Sequence, residues 1–184
     1  MQTFNFGALH SGFEKHLPEH WGDWRPESWE NHHAYHALID YDHADWRNWW
    51  GKDWVRAGIA DYDTPPSASV DPVRGSLAFL PDFKTESTNP VELPVFLRNK
   101  ESSRAEHLDN ATVREYLITW LTDWVREFGV DGFRVDTAKH VEPDAWRELK
   151  ARAQEALDDY RERHPDTALP SEEFWMVAEV FPHS

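Results

Sequence analysis

A chain of 184 residues with 40% apolar and 14% aromatic side chains is long enough to bury one sizeable core, which excludes a wholly disordered polypeptide. Its 34 acidic residues against 19 basic ones give a formal charge of -15, which repels phosphate backbones and argues against nucleic acid or an anionic membrane surface as partner. No cysteine is present, which excludes disulfide and thiolate-metal chemistry, no run is long and apolar enough to span a bilayer, and Met1 to Gly7 lacks the basic start and apolar centre of a signal peptide.

Residues 1 to 110 show little helical period and form the first of two segments. They hold clusters such as "HWGDWRPESWENHHAYH" and "DYDTPPSASVDPVRGS", rich in Pro, Gly, Ser, Asp and His, with short apolar pieces between them. This composition predicts long, ordered, loop-rich chain with brief helices and strands, the kind of insertion that carries function. His32 and His36 are four residues apart and could share a helix face as metal ligands, but no third ligand accompanies them, and solvated loop histidines are the expectation. Lys52 and Arg56 in "GKDWVRAG" could touch sugar hydroxyls, with a surface role as the expectation. The 11 tryptophans would suit stacking on the apolar faces of sugars, although core packing is the expectation for any single one.

Residues 111 to 184 form the second segment, and its character differs. "TVREYLITWLTDWVREFG" places Val113, Tyr116, Leu117, Trp120, Leu121, Trp124, Val125 and Phe128 at helical spacing. A capping box from Thr112 to Glu115 opens this helix and Gly129 closes it. It runs into a strand, Val130 to Asp136. A second helix starts near Glu142 and Pro143, with Trp146, Leu149, Ala153, Ala156, Leu157 and Tyr160 as its stripe, until "HPDTALPSEE" breaks it. "FWMVAEVF", Phe174 to Phe181, is then a continuous apolar run of strand length interrupted by Glu179. Two buried strands joined by a helix make a parallel unit, and an α/β layer architecture follows.

In both strands the odd residue is a carboxylate near the C-terminal end, Asp136 and Glu179, where parallel α/β proteins place their ligands. Period-2 geometry puts Arg134 on the face of Asp136, with Phe133 and Val135 on the other. A buried carboxylate beside a guanidinium costs desolvation energy, which points to a site, with a structural salt bridge as the plainer reading. Two neighbouring carboxylates in different surroundings are the equipment of a retaining glycosidase. On this reading Arg134 keeps Asp136 ionised as a nucleophile, while the apolar neighbours of Glu179 keep it protonated as an acid. A solvated strand-end rim and a metal-binding pair are the other readings, and the second would call for more ligands nearby.

"GVDGFRVDTAKHV" resembles the second signature motif of the alpha-amylase family, glycoside hydrolase family 13. The resemblance implies that Arg134 is the family's invariant arginine and Asp136 its nucleophile. It also implies that Lys139 and His140 line sugar subsites, and that the His140 carbonyl helps to hold a structural calcium. "FWMVAEVF" is similar to the third motif, whose Glu is the general acid/base, matching Glu179, with Ala178 where many members have Gly. "LAFLPDF" resembles a further motif and makes Asp82 a candidate calcium ligand. "FGALHSG", "WGDWRP", "WWGKDWVRAGIADYD" and "SLAFLPDFKTEST" are most similar to periplasmic-type bacterial members, so a periplasmic or secreted location is implied.

The family's first and fourth motifs do not occur; "ESWENH" imitates the spacing of the first but has Glu for Asp and no apolar strand. A (β/α)8 barrel takes roughly 250 residues. The expectation is therefore a fragment of that barrel with a long loop-rich insertion before the nucleophile strand, inactive by itself. The implied substrate is an α-glucan or maltooligosaccharide. Glucosyl transfer or isomerisation by the same carboxylates, and a non-catalytic glucan-binding remnant, are the alternatives.

Overall fold

The computed structural model describes residue 50 and residues 53–56, 82–166 and 172–180. His32, His36 and Lys52 lie outside them, as does the Arg56 side chain. The chain divides into two compact units, Met1–Lys84 with Glu92–His107, and Thr85–Val91 with Leu108–Ser184.

In the first unit, β1 (Val55–Arg56) pairs antiparallel with β2 (Asp82–Phe83), Val55 opposite Phe83 and Arg56 opposite Asp82. Aromatic rings close around this pairing. Trp50 lies 4.9 Å from Phe83, 5.2 Å from Phe96 and 5.4 Å from Trp54, and the buried Trp54 donates its indole N–H to the Glu92 carbonyl at 2.9 Å. A single helical turn, α1 (Val95–Arg98), follows the buried Leu93.

The second unit is a helix-covered sheet. Its first helix, α2 (Val113–Phe128), opens on the full capping box: Glu115 N–H donates to the Thr112 hydroxyl at 3.3 Å, and Thr112 N–H to the Glu115 carboxylate at 2.7 Å. It closes on Gly129 at φ 66°, whose N–H donates to the Val125 carbonyl. Then come β3 (Gly132–Val135), a 3-10 turn (Ala138–His140), α3 (Pro143–Arg163) and β4 (Trp175–Ala178). Proline opens α3, where its missing N–H costs nothing. The strands pair in parallel, with Phe133 opposite Met176 and Val135 opposite Ala178.

Both helices cover one face of this sheet. Val125, Ala153, Ala156, Leu157 and Phe174 form the core, with Val130, Phe133 and Met176 packed against it. The alanines let α3 approach α2 closely. Phe133 meets Phe174 edge to face at 5.1 Å, and burial of Phe174 alone contributes about 1.5–3 kcal/mol.

The stripe expected on α2 is only partly the buried one. Val113, Tyr116, Ile118, Thr122 and Val125 are buried, while Leu121, Trp124 and Phe128 are exposed. This helix is apolar on two sides, and among the described residues only one side is covered. Thr122 satisfies its hydroxyl locally, donating to the Ile118 carbonyl at 2.9 Å, which is why a polar residue is tolerated there.

Gly129 is required twice, by its left-handed backbone and by space, since a Cβ there would stand 2.3 Å from the Tyr160 ring. Gly129→Ala is expected to destabilise the chain by roughly 1–3 kcal/mol, read as a fall of several degrees in Tm. An unchanged Tm would show that Tyr160 yields freely and that the turn tolerates a side chain.

Candidate active site

Asp136 and Glu179 each stand one residue beyond the last paired residues of β3 and β4, Val135 and Ala178. The pairing continues past the strands: Glu179 N–H donates to the Val135 carbonyl at 2.7 Å, and Ala138 N–H to the Glu179 carbonyl at 3.3 Å. Phe133 and Met176 point into the helix-covered core, so alternation turns Arg134, Asp136, Val177 and Glu179 to the opposite face, which none of the described helices covers. Two carboxylates thus share one face at the C-terminal ends of adjacent parallel strands.

Arg134 was expected beside Asp136, and the structure gives it another partner. Its guanidinium pairs with the Glu179 carboxylate. Arg134 is opposite Val177 in the register, and Glu179 is two residues further along on the same face, within reach of a long side chain. Asp136 is exposed and makes no hydrogen bond or ion pair among the described residues. The apolar surroundings expected for Glu179 are also not what it meets: its side chain is 29% exposed with a cation on it. Distinct roles for the two acids therefore follow from the motifs, not from these contacts.

The chain after Asp136 bends sharply. Thr137 adopts φ 52° and ψ 31°, a left-handed conformation rare for a β-branched residue and typical of strained turns at functional sites. The turn it opens carries Lys139 and His140. The Trp146 indole N–H donates to the Ala138 carbonyl at 2.9 Å and pins its start, a role that the helical stripe of α3 did not announce. Both ring nitrogens of His140 are buried without a hydrogen-bond partner among the described residues.

Asp82 opens β2 in the first unit, half-buried. Among the described residues no three His, Cys, Asp or Glu side chains form a group that could hold a metal ion. A groove of about 790 Å3, lined by Val135, Ala138, Trp146, Gln154, Met176 and Ala178 among others, lies between α3 and β4; neither Asp136 nor Glu179 lines it. No described helix is long and apolar enough to cross a membrane.

The chain matches the family described as "Alpha amylase, catalytic domain" over residues 28–181. It is 48% identical over 187 residues to the periplasmic alpha-amylase of Escherichia coli (strain K12), covering 100% of this chain and 27% of that protein. It is 42% identical over 99 residues to the cyclomaltodextrinase of Geobacillus thermopakistaniensis (strain MAS1), covering 54% of this chain and 13% of that one. A crystal structure of alpha-amylase from Geobacillus thermoleovorans complexed with acarbose aligns at a TM-score of 0.43 and 22% identity, covering 78% of this chain and 24% of that chain. The chain thus spans about a quarter of the length of its full-coverage relative.

The Arg134 side chain is 66% exposed, so its pairing with Glu179 contributes little to folding. Arg134→Ala is expected to change stability by less than about 1 kcal/mol in thermal unfolding. A larger loss would mean that the pair holds the two strand ends together.

Proposed function

This chain belongs to the alpha-amylase family of glycoside hydrolases, and on that premise we propose that it carries the nucleophile and acid/base strands of an enzyme cleaving α-1,4-glucosidic bonds in starch or maltooligosaccharides. The observation that carries the reading is the placement of Asp136 and Glu179, each one residue past paired ends of neighbouring parallel strands and on one face. Asp136 attacks the anomeric carbon as the glycosidic C–O bond breaks, and Glu179 gives its proton to the departing oxygen. Glu179 then takes a proton from water, whose oxygen displaces Asp136 and restores the original anomeric configuration. Arg134, on the same face, orients the Glu179 carboxylate with which it pairs, and Lys139 and His140 contact the sugar. The substrate is neutral, which suits a chain of charge -15.

The wider architecture of this reading is a (β/α)8 barrel, of which β3–α3–β4 is one repeat. The apolar residues on the side that none of the described helices covers, Trp175 and Val177, then face the barrel interior, and the uncovered side of α2 lies over a further strand. The likeness to a periplasmic relative supports a periplasmic or secreted location. Calcium, in this reading, is structural, and Asp82 and the His140 carbonyl are each candidate ligands on the strength of the motifs that carry them.

Replacing the matching stretch of the Escherichia coli periplasmic relative with this chain gives a chimaera in which the proposal is measurable. It is expected to release reducing sugar from soluble starch. Glu179→Gln should lower kcat by about 10^2 to 10^4-fold, with a loss at least as large for Asp136→Asn. A folded chimaera that releases no sugar, or variants that match their parent, would overturn the assignment.

Calcium is tested separately, by thermal unfolding of the chimaera before and after chelation. Chelation is expected to lower the Tm and added calcium to restore it. An identical Tm in both states would remove the metal from this reading.

A further inference from the structure

Glu142 is a substantially buried acid that the proposed reaction does not use. It occupies the N-cap position of α3, yet its carboxylate caps nothing. Instead Oε2 accepts a hydrogen bond from the Thr85 hydroxyl at 2.9 Å and lies 3.5 Å from the Arg114 guanidinium, while Arg114 Nε–H donates to the Thr85 carbonyl at 3.0 Å. The three residues close a ring. Both charged side chains are well sheltered, at 18% and 24% exposure, and Glu142 Oε1 is buried without a partner among the described residues. A sheltered ion pair with one oxygen left over is a poor device for stability, since apolar residues of similar volume would serve as well or better.

What the ring does hold is the end of the turn that carries Lys139 and His140. The start of that turn is fixed from two sides, by the Trp146 indole on the Ala138 carbonyl and by the bond from Ala138 N–H to the Glu179 carbonyl. Its far end passes through Val141 to Glu142, two residues from His140, whose buried ring nitrogens have no hydrogen-bond partner among the described residues. We propose that Glu142 is a positioning residue: clamped by Thr85 and Arg114, it sets where the Lys139–His140 turn lies and so where the His140 ring is presented. The proposal rests on the hydrolase reading only in taking Lys139 and His140 as sugar contacts.

The test is the imidazole proton–nitrogen spectrum of the full chain labelled with 15N-histidine, the His140 signals being assigned by their loss in His140→Gln. Glu142→Gln keeps an acceptor for Thr85 but removes the charge facing Arg114; Thr85→Val removes the hydroxyl bond. Each is expected to shift the His140 ring signals while the other histidines stay in place. Unmoved His140 signals in both variants, with the Tm lowered, would reduce Glu142 to a stabilising ion pair and overturn the proposal. Should Glu142→Gln fail to fold, Thr85→Val decides by the same criterion. In the chimaera, Glu142→Gln is expected to lose about tenfold in kcat/KM, chiefly through KM. A chimaera without hydrolysis condemns the hydrolase reading and leaves the ring signals to judge the clamp.

Discussion

The parallel pairing of β3 with β4, carried past both strands by the Glu179 to Val135 and Ala138 to Glu179 backbone bonds, is the constraint on which the rest depends. Side chains alternate along a strand, so a slip of one residue in this register would turn Glu179 toward the helices and leave Asp136 alone on the open face. The register is held from beneath. Phe133, Met176 and Phe174 must reach the α2–α3 core together, and that requirement brings the two carboxylates level on the other side. Packing of apolar side chains on one face thus sets the positions of the charged ones on the other.

Three cations of the second unit reach across junctions between elements. Arg126 reaches Asp159 and ties α2 to α3, Lys150 reaches Glu173 before β4, and Arg161 donates to the Glu172 carbonyl at 2.8 Å. Each such contact is exposed on at least one side and individually weak. Together they distribute a minority of basic residues over the points where elements meet, in a chain whose acids outnumber them. The Thr85–Glu142–Arg114 ring differs from these in its shelter, and it joins three places in the chain that no helix or strand connects.

Legibility in the sequence followed the range of the interaction. The ends of α2 were readable because Thr112, Glu115 and Gly129 act within a turn, and Pro143 marked the start of α3 for the same reason. The two carboxylates were readable because each interrupts an apolar strand at the same end. The partner of Arg134 was not, since reaching Glu179 depends on a register between strands more than forty residues apart. Nor was the burial of Ile118 in place of Leu121, because a helix apolar on two sides does not say which one its neighbour takes. The left-handed Thr137 and the Thr85–Glu142 bond left no trace in local pattern; a threonine looks the same in any backbone conformation, and 57 residues separate the bonded pair.

Among the described residues β3 and β4 each have a single strand neighbour, and this gives β4 two kinds of peptide group. In a parallel ladder alternate residues bond to the neighbour, and the amides of Trp175 and Glu179 point inward to Asp131 and Val135 of the adjoining chain. The amides of Met176 and Ala178 point the other way. In heavy water the strand therefore carries two clocks: odd-numbered amides keep their protons as long as the sheet stays closed, and even-numbered ones report whether anything lies along its outer edge.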